Sequence, residues 1–261
     1  MTVQEGMWDL DTFLRKRRDL QLSPIHQIGE LSVFQFQRYR WLQSVGGSFQ
    51  SLMDLEDPSR PLLPSTQTLL AALIFNPTPQ RILNLGLGGG THERFINTHL
   101  PAAICTSVES DTNVLTVARQ YFHLPKGWPV VVENAADLIR HSNQNYDLIF
   151  CDIFEGWRHP DCLYDEDFYR HCHRSLSPRG AMAINLVPGS EKDMLKVLQA
   201  VRSAFSHTIL TDIPSNQNIV VYALRQPPPP DQELERRSFA VRSLGLNLEL
   251  LLQRMVRLPS T

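Results

Sequence analysis

Arg81-Ile-Leu-Asn-Leu-Gly-Leu-Gly-Gly-Gly-Thr91 is the stretch on which the rest of the chain depends. Ile82 to Leu85 form a short apolar run bounded by Pro79 and Gly86, the pattern of a strand buried on both faces of a parallel sheet. Gly86, Gly88, Gly89 and Gly90 follow. Lacking Cβ, they take positive φ readily and let a ligand lie against the main chain before a helix begins near His92. Such a loop reads either as a nucleotide cradle or as an ordinary tight turn between strand and helix. The next strand favours the cradle: Ile104 to Val108 is apolar and ends in Glu109, about 20 residues past the glycines, the spacing at which an acid meets a ribose diol.

Outward from this stretch, apolar strands and amphipathic helices alternate: strand 82–86, helix 91–98, strand 104–109, helix 112–122, strand 129–133, helix 135–142, strand 147–152, helix 165–176, strand 181–187 and helix 192–205. Alternation of this kind predicts an α/β fold, a Rossmann-like, doubly wound, mostly parallel sheet. Strands 208–212 and 218–224, joined by a Pro214-Ser-Asn-Gln217 turn, predict a terminal antiparallel hairpin.

Upstream, 8–20 reads as a helix whose Arg-Lys-Arg-Arg18 run is a solvated face, and 31–55 as a β-hairpin broken at Gly46-Gly47. Residues 65–75 read as a helix capped by Ser65 or Thr66. Downstream, Pro227 to Pro230 form a stiff linker, and 233–258 a leucine-rich helix too apolar for water, expected to pack on the body or on a second subunit. The predicted units are 1–60, 61–226 and 227–261.

The chain has 261 residues, 42% of them hydrophobic, so it can bury a full core. With 25 basic and 27 acidic residues the net charge is -2, and bulk composition points to neither nucleic acid nor a membrane surface. Cys105, Cys151, Cys162 and Cys172 form no Cys-x-x-Cys pair and read as reduced thiols. There is no signal-peptide pattern and no membrane-length apolar run, which makes a cytoplasmic protein the expectation. His171 and His173 lie about 200° apart on their helix, which disfavours a zinc site with the nearby cysteines. No Gly-x-Ser-x-Gly or Walker lysine is present.

In an open parallel sheet, ligands bind outside the carboxyl ends of the strands. Those ends carry the glycine loop, Glu109 with Asp111, Glu133 with Asn134, and Asp152. Two carboxylate oxygens suit Glu109 to a vicinal diol. The amide of Asn134 pairs with an adenine edge or serves a turn before the next helix, and the residues leave both open. Asp152 leaves a buried strand at the site, where a carboxylate can bind an ammonium or take its proton, as an amine must lose one before it attacks carbon. Glu155 adds a second charge, whereas Asp165, Glu166 and Asp167 read as helix capping.

Ile82 to Gly90, Ser107-Val-Glu-Ser-Asp111 with Val117 to Phe122, Tyr146-Asp-Leu-Ile-Phe-Cys-Asp152, and Leu163 to Tyr169 with Leu176-Ser-Pro-Arg-Gly180 resemble the spermidine synthases, the polyamine aminopropyltransferases. The resemblance spans roughly residues 30 to 225. It implies a small N-terminal β-domain on a class I methyltransferase-like fold, a homodimer, and decarboxylated S-adenosylmethionine as aminopropyl donor to a small amine. It places Gly86, Gly88 and Gly90 along the nucleoside, Glu109 on the ribose, and Asn134 where the family has an adenine-binding Asp. Asp152 matches the general base and Glu155 the second acid of an Asp-x-x-Asp motif. Gln50 and Gln67 match donor-contacting positions.

The chain departs from the family pattern at Gly89, where an Asp would hold the aminopropyl amine. It also carries Thr66-Gln67-Thr68 in place of a Tyr-containing motif, and Ser215-Asn216-Gln217 in place of a Tyr-Pro segment of the amine pocket. Three functions therefore stand: an aminopropyltransferase-like enzyme with altered substrates, a methyltransferase using S-adenosylmethionine itself, and a non-catalytic binding protein on the same scaffold.

Overall fold

The computed structural model describes residues 7–44, 47, 49–156, 158–213, 217–246 and 248–260, apart from the side chain of Leu250. Asp9 starts the first helix by accepting the N–H of Thr12 at 2.8 Å, and α1 (Leu10–Lys16) is shorter than the expected 8–20, ending in one 3-10 turn, Arg17–Asp19. Its Phe13 is fully buried, stacked on Tyr39 at 4.6 Å and edge-on to Trp41 at 5.3 Å.

Those rings belong to an antiparallel sheet of four strands, β1 (His26–Ile28), β2 (Leu31–Phe36), β3 (Tyr39–Ser44) and β4 (Phe49–Asp54), in that order. This corrects the single hairpin expected over 31–55. Two features hid the sheet: β1 is the polar triplet His-Gln-Ile, and the β2–β3 turn is made by Gln37 at φ +52, with no glycine to mark it. Of the expected break at Gly46-Gly47, Gly46 lies outside the described residues, and Gly47 has φ +84.

α2 (Pro64–Leu70) continues as a 3-10 turn, Ala71–Ile74. The expected caps Ser65 and Thr66 lie inside the helix, because Pro64 takes the first turn, where its missing N–H costs nothing.

Then come β5 (Arg81–Leu85), α3 (Thr91–His99), β6 (Ile104–Glu109), α4 (Thr112–Tyr121), β7 (Val130–Val132), α5 (Ala135–His141), β8 (Tyr146–Cys151), α6 (Glu166–Arg174), β9 (Leu176–Leu186), α7 (Glu191–Ala204), β10 (His207–Asp212) and β11 (Ile219–Leu224). The chain ends in α8 (Asp231–Arg242), α9 (Glu249–Arg254) and β12 (Val256–Arg257). The second sheet runs β12-β10-β11-β9-β8-β5-β6-β7. β5, β6, β7, β8 and β9 are parallel, whereas β11 is antiparallel to both β9 and β10. This is the mostly parallel sheet with a terminal hairpin that the alternation predicts; residues 214–216 of the expected turn lie outside the described residues.

Two departures from the expected bounds have a visible local cause. β9 begins at Leu176, five residues before the expected 181, because Pro178 and Gly180 sit within a register shift between the pairs Tyr146–Leu176 and Leu148–Ala181. The expected helix over 233–258 is two helices and a strand, broken at Gly245 with φ +85. Leu234, Val241, Leu246 and Leu248 of this segment are buried against Leu69 to Phe75, so it packs on its own body.

Successive residues of the central strands face two different cores. Ile82, Leu148, Phe150 and Tyr222 join the 69–75 helix, and Leu83, Leu85, Ile149 and Val221 join the layer of α5, α6 and α7. Burial on both faces accounts for the unbroken apolar runs. The strand order reverses beside β5, which pairs with both β6 and β8, so a crevice opens at the carboxyl ends of β5 and β8.

Candidate active site

The glycine loop follows β5 into that crevice. Gly86 and Gly88 have φ +95 and +51, and Gly90, at +72, precedes the first residue of α3. A Cβ on Gly86 would run into the backbone carbonyl of Asp152, so glycine there brings the loop directly against the end of β8. Gly89 donates its N–H to Ser51 Oγ at 2.7 Å, and an added Cβ would lie 2.8 Å from Ser51 Cβ and 3.0 Å from Phe122 Cδ1. Position 89 therefore faces the N-terminal sheet and has no space for a side chain. Arg94, buried below the loop, donates to the carbonyls of Gly89, Phe122 and Pro58.

Glu109 ends β6 beside this loop. Its Oε2 accepts the N–H of Leu87 at 3.2 Å and its Oε1 that of Asp111 at 2.9 Å. Each oxygen keeps a lone pair for a hydroxyl, and the carboxylate plane is already fixed. Asn134 is the N-cap of α5, accepting from Ala136 N–H at 2.8 Å, so the turn role is filled while its amide N–H2 stays available for an adenine edge. Gln50 is half-buried on β4 next to Ser51, and Gln67 donates to Pro61 O at 2.8 Å.

Asp152 extends the β8 ladder by donating its N–H to Leu85 O at 2.9 Å. Asn185, near the end of β9, donates Nδ2–H to Asp152 Oδ1 at 2.8 Å, and Asn218 donates to Asn185 Oδ1 at the same distance. Desolvation raises the Asp152 pKa, and the Asn185 hydrogen bond partly offsets it. Glu155, three residues on, is exposed and exchanges backbone hydrogen bonds with Arg158 at 2.9 and 3.1 Å, around Gly156 at φ +65. Among the described residues no hydrogen bond joins it to Asp152. Burial, and after it the Glu155 charge, pushes the Cys162 thiol up to about 11. His159, on the same loop, accepts the Val187 N–H at 2.8 Å.

A buried polar network supports the loop from α3. Asn84 Nδ2 donates to Gly86 O at 2.8 Å and to Glu93 Oε1 at 2.6 Å, and Ser107 donates to the same oxygen at 2.5 Å while accepting from Trp128 Nε1. With its amide turned to those acceptors, Asn84 presents Oδ1 to His92 Nδ1 at 3.1 Å, which must carry the proton. Burial lowers the His92 pKa to about 4, which keeps the ring neutral, and raises that of Glu93, an effect that the hydrogen bonds from Ser107 and Asn84 partly offset.

Ser51, Asn185, Asn218, Arg94 and the His92–Glu93 pair are not among the site residues read from the sequence. The strand-end rule that picked out acids also covers Asn185, one residue from the end of β9. Ser51 and Asn218 become visible only when distant elements meet. Among the described residues no group of three His, Cys, Asp or Glu is placed to hold a metal ion, and no helix is long and apolar enough to cross a membrane.

Sheet order and the glycine loop after β5 place the chain on the class I S-adenosylmethionine-dependent methyltransferase-like fold. The chain is 31% identical over 209 residues to a polyamine aminopropyltransferase of Chromobacterium violaceum, covering 78% of this chain and 79% of that one. It belongs to the polyamine aminopropyltransferase family. Among solved structures it is similar to a probable spermidine synthase from Corynebacterium glutamicum, with TM-score 0.71, 18% identity and coverage of 88% and 87%. It is also similar to human methyltransferase-like protein 13 in complex with SAH, with TM-score 0.61, 22% identity and coverage of 69% and 88%. No family model matches the chain.

Proposed function

We propose that this transferase moves an aminopropyl group from decarboxylated S-adenosylmethionine to a small-molecule amine. The observation that carries the reading is Asp152: a desolvated carboxylate at the end of β8, against the loop glycine that a nucleoside would cover. The glycine backbone and the fixed Glu109 carboxylate fit a nucleoside with a ribose diol. Asp152 takes a proton from the acceptor ammonium. The freed nitrogen lone pair attacks the carbon next to the sulfonium, the C–S bond breaks toward sulfur, and methylthioadenosine leaves. A raised pKa suits Asp152 to that transfer, since a very weak base would leave the ammonium charged. Glu155, on the exposed loop, adds negative charge along the amine's approach.

The test is chromatographic detection of methylthioadenosine from decarboxylated donor with putrescine, cadaverine, agmatine or spermidine. Asp152→Asn should lower kcat/KM by about 10²–10⁴-fold. A wild-type protein that makes no product with any of the four overturns the reading.

One observation favours a second reading, methyl transfer from S-adenosylmethionine. With no space for a side chain at position 89, no carboxylate stands there to hold an aminopropyl amine, so the loop offers the decarboxylated donor no charge partner that the intact donor lacks. Calorimetry separates the two. Binding of S-adenosylhomocysteine but not methylthioadenosine supports methyl transfer, and the reverse supports aminopropyl transfer.

A further inference from the structure

Asp152 does not stand alone at the end of β8. Asn185 lies on β9 with its Nδ2 2.8 Å from Asp152 Oδ1, and Asn218, just before β11, places its own Nδ2 2.8 Å from Asn185 Oδ1. Asn185 is buried, and β9 and β11 pair antiparallel beside it, with Asn185 opposite Val220. We propose that Asn185 and Asn218 are positioning residues that hold the Asp152 carboxylate with Oδ1 occupied and Oδ2 presented to the acceptor amine, an inference that rests on the aminopropyl-transfer reading.

The direction of the two bonds is what matters. An asparagine amide presents a donor on one side and an acceptor on the other, and a 180° turn exchanges them. Turned the right way, Asn185 stabilises a carboxylate without adding charge. Turned the other way, its carbonyl would face the carboxylate and destabilise the ionised base. With its own N–H2 facing Asn185, Asn218 selects that orientation, because an N–H2 bonds only to an oxygen. The titratable groups around Asp152 are the Cys151 thiol on β8, which burial keeps protonated, Glu155 and His159 on the following loop, and Glu109 across the glycine loop at the end of β6. Among the described residues none of them hydrogen-bonds Asp152, so the amide pair has no substitute.

The test is a carboxyl ¹³C NMR titration of Asp152, its resonance identified by its loss in Asp152→Asn, for the full chain as wild type, Asn218→Ala, Asn218→Asp and Asn185→Leu. Asn218→Ala should raise the Asp152 midpoint. Asn218→Asp should raise it further, since an acid at 218 accepts instead of donating and turns the Asn185 carbonyl toward Asp152. The acid limb of kcat/KM should move with the midpoint, so that activity falls more at pH 6 than at pH 8, while methylthioadenosine binding is unchanged. Asn218 is only half-buried, so its variants keep the test open should Asn185→Leu fail to fold. Midpoints that coincide with wild type overturn the relay, even if turnover falls. Midpoints that move in this order in a protein without aminopropyl transfer leave the relay standing and remove the reaction.

Discussion

At position 89 the sequence shows a missing acid, but the structure shows why no acid fits. The space a Cβ would enter holds Ser51 and Phe122, at 2.8 and 3.0 Å, and Phe122 is fully buried. Gly89→Asp should therefore cost about 1–3 kcal/mol in urea unfolding through overpacking. It should not tighten binding of the decarboxylated donor, because the new carboxylate would be aimed at the N-terminal sheet. A variant as stable as wild type that binds that donor more tightly contradicts this account. Gly86 was legible from sequence as a point of close approach, read there as a ligand's, whereas in the structure the Asp152 carbonyl makes that approach. Gly89 was legible only as a departure from a pattern. Its neighbour Ser51 lies 38 positions away, and no local spacing joins them.

The first turn of α3 carries two buried titratable side chains whose linkage to pH has opposite sign. His92 falls from 6.5 to about 4 on folding, so the stability of the neutral ring is present above 6.5 and is lost as pH drops toward 4, about 3 kcal/mol in all. Glu93 is raised above 4.5, so its contribution is full below that value and is lost as pH rises through the folded pKa. Urea unfolding between pH 4 and 8 should show His92→Leu flattened on the acid side and Glu93→Gln gaining on wild type toward pH 8. Curves parallel to wild type would show that neither group is linked to folding as described. The helix itself was legible from its position after the glycines, within one residue at its end. Its chemistry was not, because Asn84 on β5 and Ser107 on β6 reach Glu93 only when the sheet is assembled. The same distinction separates the two sheets. Strands such as β5 and β8 announce themselves as apolar runs, whereas β2 to β4 interleave Ser32, Gln35, Arg40, Gln43 and Gln50 with their apolar residues and turn at Gln37 without a glycine.

Across the whole molecule, the chain after the prolines belongs to the body. Leu234, Val241, Leu246 and Leu248 complete the core around Leu69 to Phe75, Arg237 donates to the carbonyls of Ile74 and Phe75 at 3.2 and 2.9 Å, and β12 adds a strand beside β10. A chain ending at residue 226 should uncover that core and be recovered as aggregate, or unfold well below the intact protein in a thermal melt. A soluble fragment with the parent's melting temperature would make the segment an appendage. Its burial was legible from its leucines, but its division was not, since Gly245 sits between two helical runs that periodicity alone reads as one.

The bond from Gly89 to Ser51 has one more consequence. The glycine loop has its floor in a different sheet from the strand that carries it, so it cannot move as part of the parallel sheet alone. Displacement of β4 enters the loop through the Ser51 hydroxyl and through Leu87, which packs with Leu42 and Met53, and any tightening of the loop around a ligand pulls on β4. The two sheets thus work as one mechanical unit.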